Sequence, residues 1–248
     1  MNIRKKILRR LLKYYYKFFQ QKNYRLTIKN LIILKILNFE KAIFSSYLNE
    51  HNNLNNLSKK YKSDKHTHNY LELLEFYFHN QRESVEKILE CGIGSSDSKI
   101  QWNMMGNSIP GASLRMWKDY FYNADIYGVD IDEKILFDEN RIFTFQVDQT
   151  NSDSIEKFIN NFKLKNNTFD LIIDDGAHWF PPNFSFFINT IKLLKDTGLY
   201  VVEDVNENTY YQFMKYFHDK EKDYFVMSSA FLNPSSLSNS RLLLIQKK

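Results

Sequence analysis

At 248 residues, 43% of them hydrophobic and 16% aromatic, the chain has the length and apolar content for one α/β domain with an appendage, which excludes wholesale disorder and two full-sized domains. Its formal charge of +5 is unevenly spread: residues 1–35 carry eleven Lys or Arg and no acid, leaving 23 bases against 29 acids, a net of −6, elsewhere. A single cysteine, Cys91, excludes an internal disulfide and a multi-cysteine metal site, and a reducing, cytoplasmic setting is expected.

In chain order, Ile3, Ile7, Leu8, Leu11, Leu12, Tyr15, Phe18 and Phe19 recur at helical spacing with Arg4, Lys5, Arg9, Lys13 and Lys17 between them, which predicts a basic amphipathic helix. Arg9 and Arg10 interrupt the apolar run that a signal peptide would need, and Leu31–Leu34 is too short to span a membrane. A second apolar stretch, Leu26 to Leu48, continues helically, and the Asn-rich piece 51–56 reads as a linker. The expected boundary therefore falls between a helical extension, 1–57, and a main domain, 58–248. Asn69 and Glu72 form a capping box before an apolar helix, and His66 and His68 beside it are read as surface and capping residues.

From Lys87 onward, short apolar runs alternate with helical segments, the pattern of a mostly parallel sheet covered by helices. Strands are predicted at about 88–91, 126–130, 142–147, 170–174 and 199–203, and helices at 113–123, 152–162, 182–194 and 206–219. Two closing runs, 224–231 and 241–246, joined through Asn233-Pro234-Ser235-Ser236, read as an antiparallel hairpin. All seven glycines lie between Gly92 and Gly198, so the tight-turn chemistry is central. The stretch 95–112, with Trp102, Met104 and Met105, is long for a connection and reads as a lid or acceptor loop.

The chemistry-bearing residues fall at the predicted strand ends, where open α/β sheets bind ligands. The first strand leaves as Glu90-Cys91-Gly92-Ile93-Gly94, a turn that backbone or ligand can approach closely, but Asp97 replaces the third glycine of a nicotinamide-dinucleotide fingerprint. The second ends at Asp130, placed to take ribose hydroxyls, and the third at Asp148-Gln149, an acid and an amide suited to an adenine amine. The fourth gives Asp174-Asp175-Gly176-Ala177-His178 and the fifth Glu203-Asp204. Each acid alone is explained as a helix or turn cap. Four acids converging on one edge instead ask for a proton or a hard cation such as Mg²⁺. His178 beside them is a candidate general base.

Tyr61 to Lys65, Ile88 to Gly94, Ser113 to Phe121, Tyr127 to Ile131, the Asp-Asp-Gly-x-His block and Tyr200 to Asp204 together resemble the class I S-adenosylmethionine-dependent methyltransferases, within them the metal-dependent sugar O-methyltransferases of the mycinamicin and demethylmacrocin type. The resemblance covers about residues 58–205. It implies a Rossmann-like, mostly parallel seven-stranded sheet with a C-terminal antiparallel hairpin, S-adenosylmethionine and Mg²⁺ as cofactors, and methyl transfer to a sugar hydroxyl. Glu90, Gly92 and Gly94 would border the methionine part of the cofactor, Asp130 the ribose, and Asp148 and Gln149 the adenine side. Ser63, Asp64, Arg115 and Asp174 would belong to the same pocket. Asp175, Glu203 and Asp204 would bind the metal, with His178 and Asp175 as catalytic residues. Lys62 stands where relatives often have Gly, Ala177 where Ser is usual, and Thr197 where Gly is frequent.

The leading expectation for the acceptor is a bacterial surface polysaccharide or its nucleotide-sugar precursor, and the preferred use of the basic residues 1–35 is contact with anionic lipid at the inner face of the membrane. Self-association is expected, and nucleic acid is not, because the site region is acidic. Two alternatives remain on sequence grounds: a phosphate, phosphoramidate or RNA acceptor, and a catalytically silent scaffold for a glycan-assembly partner.

Overall fold

The computed structural model describes residues 53–67, 71–99, 109–161, 164, 166, 168–230 and 241–248. The basic helix of residues 1–35, the apolar stretch 26–48, His68, the Asn69 half of the capping box, and Trp102, Met104 and Met105 lie outside the described residues.

Seven strands form one sheet: β1 (Lys87–Cys91), β2 (Asp125–Asp130), β3 (Ile142–Gln146), β4 (Phe169–Asp174), β5 (Leu194–Val202), β6 (Tyr224–Ala230) and β7 (Arg241–Lys247), in the order β3-β2-β1-β4-β5-β7-β6. The first five are parallel, and β7 lies antiparallel between β5 and β6, as the two closing apolar runs predict. The strand order reverses between β1 and β4, the switch point at which such sheets open a crevice.

Alternate residues of each strand face opposite sides, and both sides are covered. Ile88, Ile126, Leu171, Ile173 and Val201 join one core with α1 (Asn53–Tyr61), α2 (Leu71–Phe78) and α3 (Ala112–Tyr120), around buried Leu54, Leu74 and Trp117. Leu89, Val129, Ile172, Tyr200 and Val202 join the other, with α4 (Ser152–Asn161), α5 (Phe180–Thr190) and α6 (Glu207–Asp219). There Phe187 meets Tyr200, Phe213 and Phe217 edge to face.

Three predicted boundaries move. The Asn-rich linker is helical: α1 begins at Asn53, its Leu54 is buried, and the Leu54 N–H donates to Glu75 Oε2 at 2.9 Å, so α1 runs across the expected 57/58 boundary into the same core. Helix α3 stops at Tyr120 rather than 123, where Phe121 leaves helical geometry (φ −101°, ψ 75°). Helix α5 ends at Thr190 and β5 starts at Leu194, five residues before the predicted strand, since Leu194 pairs with Phe169 ahead of a register irregularity in the ladder.

Cys91 ends β1 with 3% of its surface exposed. Burial, then the charges of Asp174, Asp130, Asp175 and Glu90, push its thiol well above the usual range. Because the thiolate is the reactive form, a disulfide reagent at pH 8 is expected to count no thiol in the native protein and one in denaturant. Rapid native labelling would contradict a central β1.

Candidate active site

The parallel registers set Cys91 beside Val129 and Asp174, Asp130 beside Gln146, and Asp174 beside Val202. The residues that follow these strands therefore emerge side by side along one edge. They line a cleft of about 940 Å³, within the range typical of small-molecule sites. Three of the four non-glycine residues with positive φ among those described, Lys62 (59°), His178 (56°) and Asp204 (49°), line it too. Such strain of about 1–3 kcal/mol apiece gathers at functional sites, and Lys62 holds this conformation where the resemblance expects glycine. Gly92 (φ 84°) is required: a Cβ there would sit 2.3 Å from the Asp175 carbonyl oxygen.

At the floor of the cleft is a residue to which the sequence reading gave no role. Lys65, 2% exposed, extends its Nζ from the short 3₁₀ turn Asp64–Thr67 to Asp175 Oδ2 at 2.6 Å, Glu203 Oε2 at 2.7 Å and Glu90 Oε1 at 3.2 Å. Burial opposes the ammonium, but the three carboxylates outweigh it and hold Lys65 well above its ordinary value. Glu90 and Glu203 are fully buried, and burial raises both carboxyls against the pull of Lys65. Glu90 Oε2 also accepts from Trp117 Nε1 at 2.9 Å.

Asp175 is shared. Its Oδ2 meets Lys65 and its Oδ1 lies 3.3 Å from His178 Nε2. Against burial, Lys65 and His178 hold the Asp175 carboxyl well below the carboxylate range. Burial would lower His178, yet the Asp175 hydrogen bond and the charges of Asp175, Asp204 and Asp174 outweigh it and raise the imidazole to about 9. The His178 main chain is fixed by Asn206, the cap of α6, whose Nδ2 donates to its carbonyl at 3.0 Å.

One donor atom from each of Asp175, His178 and Asp204 lies within 4.8 Å of the others. Two carboxylates open to a cleft suit a hard cation that keeps water or substrate oxygens in its remaining positions. An imidazole suits Mg²⁺ less, and this one is already bonded to Asp175 through Nε2. Glu203, expected among the ligands, is fully buried against Lys65 and falls outside this group.

Of the other expected site residues, Ser63, Asp64, Gly92, Gly94, Asp130, Asp148 and Gln149 line the cleft. Asp130 accepts from the Ile93 N–H at 2.8 Å and the Asp132 N–H at 3.0 Å, and burial raises its carboxyl. Asp148 Oδ1 accepts from the Thr150 N–H and hydroxyl. Both ends of the Gln149 amide are engaged, Nε2 with Asp174 Oδ1 at 2.6 Å and Oε1 with the Ala177 N–H at 3.0 Å. Asp174 is fully buried beneath the edge, and burial raises it to about 7. Glu90 likewise lies under the cleft rather than in its lining. Arg115 points away: its Nε and Nη2 donate to Glu139 Oε1, its Nη1 to the Pro110 carbonyl, and its guanidinium covers the Phe137 ring. His66 is tied locally to Ser58 and Ser63.

No protein-family model matches the chain. Over 154 residues, 61% of the chain, it is 32% identical to mycinamicin VI 2''-O-methyltransferase of Micromonospora griseorubida and 31% identical to demethylmacrocin O-methyltransferase of Streptomyces fradiae. Over 164 residues, 66% of the chain, it is 31% identical to 8-demethyl-8-alpha-L-rhamnosyl tetracenomycin-C 2'-O-methyltransferase of Streptomyces olivaceus. The chain spans only 36% to 40% of these relatives' lengths. The MycE methyltransferase of the mycinamycin pathway, solved with Mg, SAH and mycinamycin VI, superposes with a TM-score of 0.60 at 24% identity, covering 79% of this chain and 54% of that one. This is the class I methyltransferase fold. Class I methyltransferase sheets are mostly parallel with an antiparallel closing pair, as the resemblance implies and as this chain has.

The His178 proton carries a stability signature. An imidazole raised from 6.5 to about 9 adds stability that is complete below pH 6.5 and lost as pH rises through 9. In the presence of a chelator, urea unfolding should therefore show a loss of about 2–3 kcal/mol between pH 6.5 and 9.5, and His178→Asn should flatten that step. An unchanged step in the variant would remove His178 from the carboxylate field.

Proposed function

We propose that this chain transfers a methyl group from S-adenosylmethionine to a sugar hydroxyl, with Mg²⁺ on Asp175 and Asp204 and His178 as the base. The observation that carries the reading is the junction of an imidazole and two carboxylates at the rim of a strand-edge cleft. The similarity to sugar O-methyltransferases of macrolide and tetracenomycin glycosides supports the same chemistry.

On this reading Gly92 and Gly94 let the main chain come close to the cofactor, Asp130 takes the ribose hydroxyls, and Asp148 and the Gln149 segment border the adenine. A sulfonium methyl is already electrophilic, so these residues chiefly orient an in-line approach. S-adenosylmethionine would supply that methyl, and Asp175 and Asp204 would hold an Mg²⁺ whose charge would acidify the acceptor hydroxyl and offset the carboxylates around His178. His178 would accept the hydroxyl proton at Nδ1, the ring nitrogen that does not face Asp175 Oδ1, while Asp175, anchored on Lys65, orients the ring through Nε2 and stabilises the imidazolium.

Seven carboxylates against four lysines line the cleft among the described residues, which disfavours a polyanionic acceptor and favours an uncharged sugar over RNA or a phosphate. Ile109, Ile131 and Trp179, each 44–48% exposed in the same cleft, offer the apolar surface that the faces of a sugar ring need. Trp179 adjoins His178, so a ring stacked on it would bring a hydroxyl to the base. A surface-glycan acceptor and contact with the membrane face rest on the basic residues 1–35 alone.

The test is calorimetric titration with S-adenosylhomocysteine, with and without Mg²⁺, and then methyl transfer to a panel of glycosides and nucleotide-linked sugars. His178→Ala should bind S-adenosylhomocysteine as the wild type does while turnover falls about 10²- to 10⁴-fold. Asp204→Ala should lose Mg²⁺ dependence. A protein that does not bind S-adenosylhomocysteine is not this enzyme.

A further inference from the structure

Helix α1 closes on a main-chain turn that glycine usually provides. The Ser63 N–H donates to the Ser58 carbonyl at 2.9 Å and the Lys62 N–H to the Lys59 carbonyl at 3.2 Å, the paired bonds of a helix end that turns left-handed just past its last residue. Lys62 is the left-handed residue, at φ 59°, and its Cβ carries a strain that glycine would not. Its charge adds little to the helix end, because Lys59 and Lys60 already occupy the last turn. Lys62 is exposed, lines the cleft, and has no ion pair among the described residues.

The other three lysines of the lining are placed differently. Lys65 is committed to Glu90, Asp175 and Glu203. Lys134 meets Asp97 at 3.1 Å, and the Lys99 N–H donates to the same carboxylate, which keeps both beside the turn that follows β2. Lys62 comes three residues before Lys65, whose ammonium sits over the ends of β1, β4 and β5, so its charge stands on the side of the cleft that Gly92 and Gly94 line.

We propose that the ammonium of Lys62 pairs with the α-carboxylate of S-adenosylmethionine, a contact for which the chain keeps a lysine where its backbone favours glycine. This rests on the cofactor reading above and adds to it a binding residue absent from the sequence expectations. The cofactor brings a sulfonium, an ammonium and a carboxylate into the cleft. Seven carboxylates in the lining suit the first two and oppose the third, so the incoming carboxylate needs a cation that is not already engaged. A lysine meets that need with a point charge on a flexible four-carbon stem. The two helix-end bonds fix its main chain, and the buried Ser63 and Lys65 pin the residues that follow, so only the stem has to adjust.

Calorimetric titration of the full chain compares S-adenosylhomocysteine with its decarboxylated analogue, which lacks that carboxylate alone. Lys62→Gly should weaken S-adenosylhomocysteine about 3- to 10-fold and leave the analogue unchanged, while its urea midpoint rises because the left-handed residue no longer carries a Cβ. Lys62→Arg, which keeps the charge, should bind S-adenosylhomocysteine within about threefold of the wild type. Lys62→Gly that binds S-adenosylhomocysteine as tightly as the wild type would overturn the inference and leave Lys62 a helix end only, with the cofactor reading intact. Equal weakening of both ligands would overturn it too, since the loss would then come from the shape of the segment and not from the charge. A wild type that binds neither ligand removes the cofactor reading and this inference together.

Discussion

An ammonium buried to 2% exposure is tolerable only because three carboxylates stand within 3.2 Å of it, and those carboxylates are tolerable only because the ammonium is there. The four groups come from positions 65, 90, 175 and 203, distant in the chain, so their mutual satisfaction is a tertiary constraint that no local preference supplies. Removing one partner of a buried pair costs about 3–5 kcal/mol, comparable to a large share of a domain's net stability. The polar floor of the cleft and the placement of the 63–67 segment over the sheet edge are thus one interaction. The Trp117 indole, donating to Glu90 from α3, extends that interaction into the apolar core on one face of the sheet.

The sheet makes the cluster available. Because β1, β2, β3, β4 and β5 run parallel with their ends in register, each strand delivers its next residue to the same line, and the order reversal between β1 and β4 opens space there. Aiming those residues requires turns that ordinary backbone conformations do not provide. Gly92 supplies one by lacking a Cβ, while His178 and Asp204 supply two others at positive φ and carry the strain with side chains that line the cleft. Buried apolar layers on both faces offset that strain, as their bulk and edge-to-face rings hold the strands fixed.

This division explains what was legible in the sequence. Alternation of apolar runs and helical segments gave the sheet, its closing hairpin and nearly all strand positions, since burial on both faces writes itself as short apolar blocks. The strand-end acids and His178 were legible because loops after parallel strands must face the crevice. The start of α1 was hidden by four asparagines, which read as a linker until Leu54 is seen buried and bonded to Glu75. Arg115 was misleading: the resemblance assigns it to the cofactor pocket, yet Glu139, twenty-four residues away, takes its guanidinium. Lys65 was hidden for the opposite reason. A lysine is the residue least expected to be buried, and the only signal lay in the excess of carboxylates at one edge, which lacked a counter-charge from any strand. That deficit was assigned to a proton or a hard cation, although Lys65 stood in a motif already singled out.

Asp175 is where the charges of the sheet edge meet. Lys65 meets one oxygen of this carboxylate and His178 the other, so Asp175 transmits any change at the cleft edge to the imidazole. Without an external cation the carboxylates outnumber Lys65, and the imidazole makes up part of the difference by holding its proton to about pH 9. A cation bound beside Asp204 would compensate the same carboxylates and so loosen their hold on that proton. Lys65 cannot do this, since its charge is already committed to Glu203, Glu90 and the inner side of Asp175. The buried lysine sets the baseline charge of the site, and the imidazole at the exposed edge answers to the carboxylates that it leaves uncompensated.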